Sequence, residues 1–177
     1  NFRGKNTFLS FILMTQMFPS IMLLVPFYKI LSVYGLNNSL VGLCIVYVSF
    51  TIPFCSWMMV GYFRTIPTEI DESAAIDGAS HLQTFWKIAL PLVKPGLVSS
   101  AIYAFITCWN EYMFAAILLV NDKLKTAAVA IAEMNGYYKI AWNDMMAASL
   151  VASVPLIIAF VFMQKSFISG LTAGAVK

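Results

Sequence analysis

Four stretches of this chain have the length of a bilayer-crossing helix and almost no charge in them. A spanning helix needs about 20 mostly apolar residues. Residues from about 7 to 28, 40 to 63 and 145 to 163 contain no charged side chain, and 96 to 120 contains a single one, Glu111. Pro19, Pro26, Pro53 and Pro155 fall inside them, which spanning helices tolerate because neighbouring groups satisfy the freed carbonyls. The chain is 60% hydrophobic and 11% charged over 177 residues, whereas soluble domains are about 25% charged. A soluble fold of this size leaves much of its surface wet and could not hide so much apolar side chain. A soluble enzyme and a nucleic-acid-binding module are therefore excluded. The net charge of +3, with no Lys/Arg cluster, offers nothing to a polyanion. The expectation is an all-α membrane protein, a polytopic helix bundle forming one transmembrane domain over 1–177.

The scarce residues narrow the chemistry. One histidine, His81, cannot build a His-rich metal site, and no metal is expected. Cys44, Cys55 and Cys108 sit in apolar runs without C-x-x-C spacing, so they read as small buried packing residues. No phosphate loop of the G-x-x-x-x-G-K-[ST] kind occurs, and energy for uphill work would have to come from another subunit. The first apolar run is too long for a signal peptide and no small-residue cleavage site follows it.

Basic residues flanking the spans set the orientation. Arg3, Lys5, Arg64, Lys87, Lys94, Lys165 and Lys177 collect on one side, seven against Lys29, Lys123, Lys125 and Lys139 on the other. The larger group should face the cytoplasm, with both ends of the segment there. Gly35 with Asn37-Asn38 reads as a short outer turn. The outer loop from Asn121 to Asp144 should be part helical around Ala127 to Met134.

The connection over 64–95 carries the most information. Pro67 suits a first helical turn, and Glu69, Asp71 and Glu72 favour the positive end of a helix dipole. Gly78 is a natural helix stop. Ser80 and Gln83 then have capping-box spacing, and Phe85, Trp86 and Ile88 supply apolar contacts until Pro91. The product is two short helices joined by a bend at Asp77-Gly78-Ala79. Ala74, Ala75, Gly78 and Ala79 permit close approach by a partner, while Glu72 and Asp77 offer acceptors to basic groups. An amphipathic loop resting on lipid is the alternative, but such helices carry Lys and Arg on their polar face, and this one is acidic.

The same residues resemble a known family. Glu72-Ser73-Ala74, three residues, Gly78, nine residues, then Ile88-Ala89-Leu90-Pro91 is similar to the EAA loop of binding-protein-dependent ABC importer permeases. Ser73 replaces the usual first alanine and is also small. Ile66-Pro67, Asp77-Gly78-Ala79, Pro95, Trp109-Asn110-Glu111-Tyr112 and the ending Gly170-Leu171-Thr172-Ala173-Gly174-Ala175-Val176-Lys177 resemble the carbohydrate branch, the MalG-like permeases. The resemblance implies the bundle of a type I ABC importer permease in a bacterial inner membrane, with 64–95 as a cytoplasmic coupling loop. Glu72 and Gly78 would take the places of the signature Glu and Gly, with Ser73, Ala74, Asp77, Ala79, Ile88, Leu90 and Pro91 completing the docking element. It implies as partners a pair of cytoplasmic ATP-binding subunits, a second permease, an extracytoplasmic solute-binding protein and a carbohydrate. ATP would sit on the partner subunit and no cofactor on this chain. Permeases of this family commonly carry a further pair of spans, so the segment is expected to be the carboxy-terminal part of a longer protein.

Inside the spans, Glu111 stands out. A charge at mid-bilayer costs at least about 2.5–3.5 kcal/mol, so it should face the bundle or a watery path, roughly 22 Å along a helix begun at Gly96. Asn110 and Glu111 either line a translocation path or bond a neighbouring helix and subunit. Gln16 and Tyr47 are further path candidates, although polar residues in spans more often bridge helices. Gly170 and Gly174 form a G-x-x-x-G that lies beyond the last apolar run. The function implied is a permease subunit for a sugar or oligosaccharide. A permease for another small polar solute is the nearest alternative. An unaided carrier or pore would need intramembrane charges that are missing, and an enzyme would need a catalytic set.

Overall fold

The computed structural model describes residues 4–136 and 141–175, with side chains at 163 and from 165 onward outside that description. Arg3, Lys139 and Lys177, three of the residues used for orientation, lie outside the described residues, as do the side chain of Lys165 and the side chains of the closing Gly170–Lys177 motif. Ten helices follow one another and no strand occurs among the described residues.

The first apolar run is two helices rather than one. α1 (Lys5–Met14) continues through a 3-10 turn at Thr15–Met17, and a second 3-10 turn at Ser20–Leu23 leads into α2 (Leu24–Val33). The two halves meet at 91°. Pro19 is the cause: its ring drives the preceding residue out of helical geometry, and Phe18 is extended at φ −74, ψ 130. Pro26 makes no break, because it lies in the first turn of α2, where a missing N–H costs nothing. Gly35 (φ 65) and Asn38 (φ 54) form the expected turn. The Ser39 hydroxyl, accepting from Gly42 N–H at 3.0 Å, then starts α3.

α3 (Leu40–Phe63) covers the second apolar run as read from the sequence. α4 (Thr68–Ile76), α5 (His81–Thr84) and α6 (Leu90–Leu92) make up the following connection. α7 (Lys94–Trp109) leaves α5–α6 at 70°. The third apolar run, expected unbroken over 96–120, stops at Trp109 and restarts as α8 (Met113–Leu118). α9 (Ala127–Glu133) occupies the helical part of the next loop. α10 (Trp142–Ala175) is longer than the expected 145–163 at both ends. Among the described residues, α3 and Trp142–Phe162 are individually long and apolar enough to cross a membrane, and two bent pairs reach that length only jointly.

The core gathers α2, α3, α8 and α9 at the N-terminal end of α3, away from α4. Leu31, Leu43, Val46, Phe114, Ala115, Leu118, Leu119 and Val129 are buried together. Phe27, Phe50 and Phe114 form an aromatic triangle with centroids 5.0–6.0 Å apart. Elsewhere the helices turn apolar side chains outward: Leu150 and Val151 of α10 are more than 70% exposed. The cysteines follow this pattern. Cys44 is exposed and Cys55 and Cys108 are half-buried, because their apolar surroundings face out of the chain.

Pro53 and Pro155 stay inside α3 and α10 without breaking them. A helical proline removes one hydrogen bond and crowds the preceding turn. Here the carbonyl three residues earlier gains an outside donor in both cases. Gln16 Nε2 donates to Phe50 O at 2.8 Å, and Trp109 Nε1 donates to Ala152 O at 3.1 Å. Replacing Trp109 by Phe, or Gln16 by Leu, removes that bond between helices. Each should lower stability by about 1 kcal/mol, read as a fall in thermal midpoint of the detergent-solubilised protein.

Candidate functional site

The bend between α4 and α5 is fixed by its backbone. Gly78 takes φ +79, its N–H reaches Ala75 O at 3.1 Å, and Ala79 N–H reaches Ala74 O at 3.0 Å. This pair of bonds is a Schellman closure, which places glycine in the left-handed position. The next helix opens on a complete capping box: Ser80 Oγ accepts from Gln83 N–H at 3.3 Å, and Gln83 Oε1 accepts from Ser80 N–H at 2.9 Å. Only Asp77-Gly78-Ala79-Ser80 separates the helices, so the knuckle has little slack.

Its surface divides by chemistry. Ala74 is 4% exposed, so its methyl fills the knuckle instead of facing outward, while Ala75 and Gly78 are exposed and Ala79 is half-buried. A side chain added at Gly78 would meet nothing within 4 Å. Ser73 Oγ bonds back to Glu69 O at 2.8 Å. The carboxylates of Glu69, Asp71, Glu72 and Asp77 are exposed, and among the described residues none has a hydrogen bond or ion pair. A groove of about 1140 Å³ runs between the two helices, walled by Asp71, Ala75, Ala79, His81 and Phe85.

Ile88 and Leu90 are half-buried and Pro91 is exposed. Pro91 does not stop the helix as expected, and Leu92 follows it within α6. Instead the chain widens into a π turn over Phe85–Ala89, where Leu90 N–H reaches back to Phe85 O. The Lys87 carbonyl, four residues before Pro91 and the one a helical proline crowds, lies within this widened turn. The helix ends at Val93.

The polar residues of the third apolar run lie elsewhere and do other work. Glu111 sits in the gap between α7 and α8, with Oε1 accepting from Phe114 N–H at 2.9 Å and Oε2 from Ala115 N–H at 3.1 Å. Tyr47 O–H donates to Oε2 at 2.9 Å. The carboxylate therefore caps the restarted helix, satisfying donors that have no intrahelical partner. Asn110 is exposed and bonds its own helix, Nδ2 to Ile106 O at 2.9 Å. Gln16 is committed to Phe50 O. Of the four path candidates the structure thus joins only Tyr47 and Glu111, through a capping bond. The sequence signal for this was Glu111 standing three residues before Phe114, the spacing of a cap.

Comparison with known proteins places this geometry. The model of the binding-protein-dependent transport system inner membrane component family matches residues 1–172. The chain belongs to that family. Relatives of this inner membrane component include the trehalose/maltose transport system permease protein MalG of Thermococcus litoralis, 39% identical over 99% of this chain and 64% of its own length. The maltodextrin transport system permease protein MdxG of Bacillus subtilis is 38% identical, with 99% of this chain and 64% of that protein covered. A crystal structure of a bacterial ABC transporter involved in the import of the acidic polysaccharide alginate superposes with a TM-score of 0.76 at 26% identity, over 94% of this chain and 63% of that one. The chain spans under two thirds of the length of these proteins. Both named relatives are transport permeases and not enzymes, as the residues lead one to expect.

Two outcomes follow. Glu111→Ala should destabilise the protein by about 2 kcal/mol, through two orphaned N–H groups and the lost Tyr47 bond, whereas exposed Asn110→Ala should cost no more than about 0.5 kcal/mol. Denaturation of each variant beside the parent decides the comparison. The second concerns the loop before α9, where Lys125 Nζ meets Asp122 Oδ1 at 2.6 Å and Glu133 Oε1 at 2.6 Å. The Lys125 bond and charge hold the Asp122 carboxyl below its ordinary value, and both carboxylates hold the Lys125 ammonium above its own. Asp122's contribution is present above the unfolded carboxyl value of about 3.9 and lost as pH falls through the lowered one. Lys125's is present below about 10.4 and lost as pH rises through the raised one. Amide protection at Asn121–Lys125, taken as the exchange rate relative to the intrinsic rate at each pH, should hold across that window and fall at both ends, and Lys125→Met should flatten that profile.

Proposed function

We propose that this chain is a membrane-spanning subunit of an ATP-driven ABC importer and forms half of the translocation path for a sugar or oligosaccharide. The observation that carries the proposal is the α4–α5 knuckle. A Schellman bend and a capping box rigidify it, four unpaired carboxylates surround it, and open space stands over Gly78 at the EAA spacing. An acidic, sharply turned element with its polar groups uncommitted is suited to a cleft lined by basic residues. Anionic lipid would repel it.

In this reading the knuckle faces the cytoplasm, as do both ends of the segment, and docks in the cytoplasmic ATP-binding subunit. Glu72 and Asp77 meet basic groups there, and Ala75 and Gly78 allow backbone approach. ATP is held by that partner, and this chain binds no cofactor. Closure of the paired ATP-binding subunits carries the knuckle with them and swings the attached helices between inward- and outward-facing states. A second permease completes the path, and a binding protein outside delivers the solute. Relatives named as trehalose/maltose and maltodextrin transport system permeases support carbohydrate as the solute class.

The test uses the full-length permease with its partner subunits in vesicles. A side chain at the left-handed Gly78 costs about 1–2 kcal/mol in backbone strain and adds bulk where the ATPase would approach. Gly78→Leu should therefore abolish ATP-dependent uptake while the subunit remains in the membrane. Glu72→Lys should weaken retention of the ATP-binding subunit during purification. Parental uptake by a fully assembled Gly78→Leu complex would overturn the docking reading.

A further inference from the structure

The knuckle joins the rest of the chain at two points, the last turn of α3 and the first turn of α7. Tyr62 lies just before the end of α3 and Gly96 just inside the start of α7, and the two are in direct contact. The Tyr62 ring rests on the Gly96 backbone so closely that a methyl on Gly96 would overlap the ring and stand 2.9 Å from Tyr62 Cβ. The Tyr62 hydroxyl lies 3.4 Å from Ser99 Oγ. Ser99 spends its own proton on Pro95 O at 3.0 Å, so Tyr62 is the donor.

The same pair of faces continues along the helices. Ser100 Oγ bonds Met58 Sδ at 3.4 Å, and Cys55 Sγ donates to Ser100 O at 3.6 Å. Gly96, Ser99 and Ser100 are all buried. Their spacing puts three small residues on one side of α7, the arrangement by which spanning helices approach most closely. Phe63, the neighbour of Tyr62, stacks on Phe85 at 6.1 Å and 22°. Adjacent residues of α3 thus hold both exits of the knuckle: Tyr62 grips α7 and Phe63 grips the π turn after α5.

We propose that the Tyr62–Gly96 contact is the joint that converts displacement of the knuckle into movement of the spans, with Tyr62 and Gly96 as positioning residues. The proposal rests on the docking reading above. A ring seated directly on backbone leaves no flexible side chain to absorb a push, so α3 and α7 turn together when the knuckle is moved. Where the chain can yield instead is the 70° bend before α7 and the π turn, both on the knuckle side of the joint. Without the joint, a displaced knuckle would flex those two points and leave the spans behind.

The experiment measures ATP hydrolysis and solute uptake separately, in vesicles holding the full-length permease, its partner permease, the ATP-binding subunits and the binding protein. Maltose, trehalose and maltotriose serve as probes, using whichever the parent complex accumulates. Gly96→Ala and Tyr62→Ala should each keep the complex assembled and hydrolysing ATP while uptake per ATP falls by about tenfold, and Tyr62→Phe should stay within about twofold of the parent, as coupling energies of this kind allow. Tyr62→Ala only removes atoms, so it decides the matter where Gly96→Ala fails to assemble. Uptake and hydrolysis falling in proportion would show a packing role only and overturn the joint, as would unchanged uptake or a Tyr62→Phe variant as impaired as Tyr62→Ala. Failure of docking itself shows in Gly78→Leu complexes that transport like the parent, and the joint falls with it. Loss in Gly78→Leu alongside proportional loss in Gly96→Ala overturns the joint alone.

Discussion

A backbone group freed inside an apolar medium has no water to turn to, and leaving it unpaired costs several kcal/mol. Much of this chain is arranged around that fact. Beside Pro53 in α3 and Pro155 in α10, an amide from the turn after α1 and an indole from α7 reach across to carbonyls of the preceding turn. Glu111 supplies the acceptor for the N–H groups that begin α8, and Tyr47 fixes the carboxylate in place. The serine and threonine hydroxyls of the apolar helices do the same over shorter distances, as when Thr51 and Ser153 bond carbonyls one turn back.

The knuckle is built the opposite way. Its backbone is satisfied internally by the Schellman bonds and the capping box, and its carboxylates are held out unused. That contrast is the strongest functional signal in the molecule. Gln16, Tyr47, Trp109 and Glu111 in and between the apolar helices are bonded within the chain, whereas the knuckle carboxylates are not. Rigidity supports the same division, since a backbone closed by its own hydrogen bonds transmits force better than one that must rearrange to satisfy itself.

Much of this was legible in the residues. Capping and turn chemistry are local, so Ser80 with Gln83, Gly78, and the limits of α3 could be read directly from the chain. The breaks were harder. Pro19 and Pro53 look alike as letters, but one bends the chain by 91° and the other sits within an unbroken helix. What sequence distance conceals is the setting of each: beside Pro53, Gln16 from the turn after α1 donates to a carbonyl of the preceding turn. Glu111 reads equally as lining a path or as bonding a neighbour, and its capping bonds come into view only once the helix is seen to stop at Trp109. Gly96 with Ser100 carried the spacing of a close-packed interface, yet it lay at the edge of the run, where small residues look like ordinary loop.

These contacts converge on α3, the longest helix of the N-terminal half and one without a break. α1 is fixed to it through Gln16, α2 through Phe27 on Phe50, α8 through Tyr47 and Glu111, and α7 through Met58, Tyr62 and the serines. α10 reaches this assembly through Trp109 on α7. A displacement delivered at the C-terminal end of α3 therefore does not act on one helix at a time. It turns a rod to which the bends at Pro19 and at Asn110–Tyr112 are already fastened, so those breaks divide the chain into short pieces without dividing its motion. The bends let the pieces pack around α3, and the bonds of Gln16, Tyr47 with Glu111, and Trp109 tie the packed pieces to it and to one another.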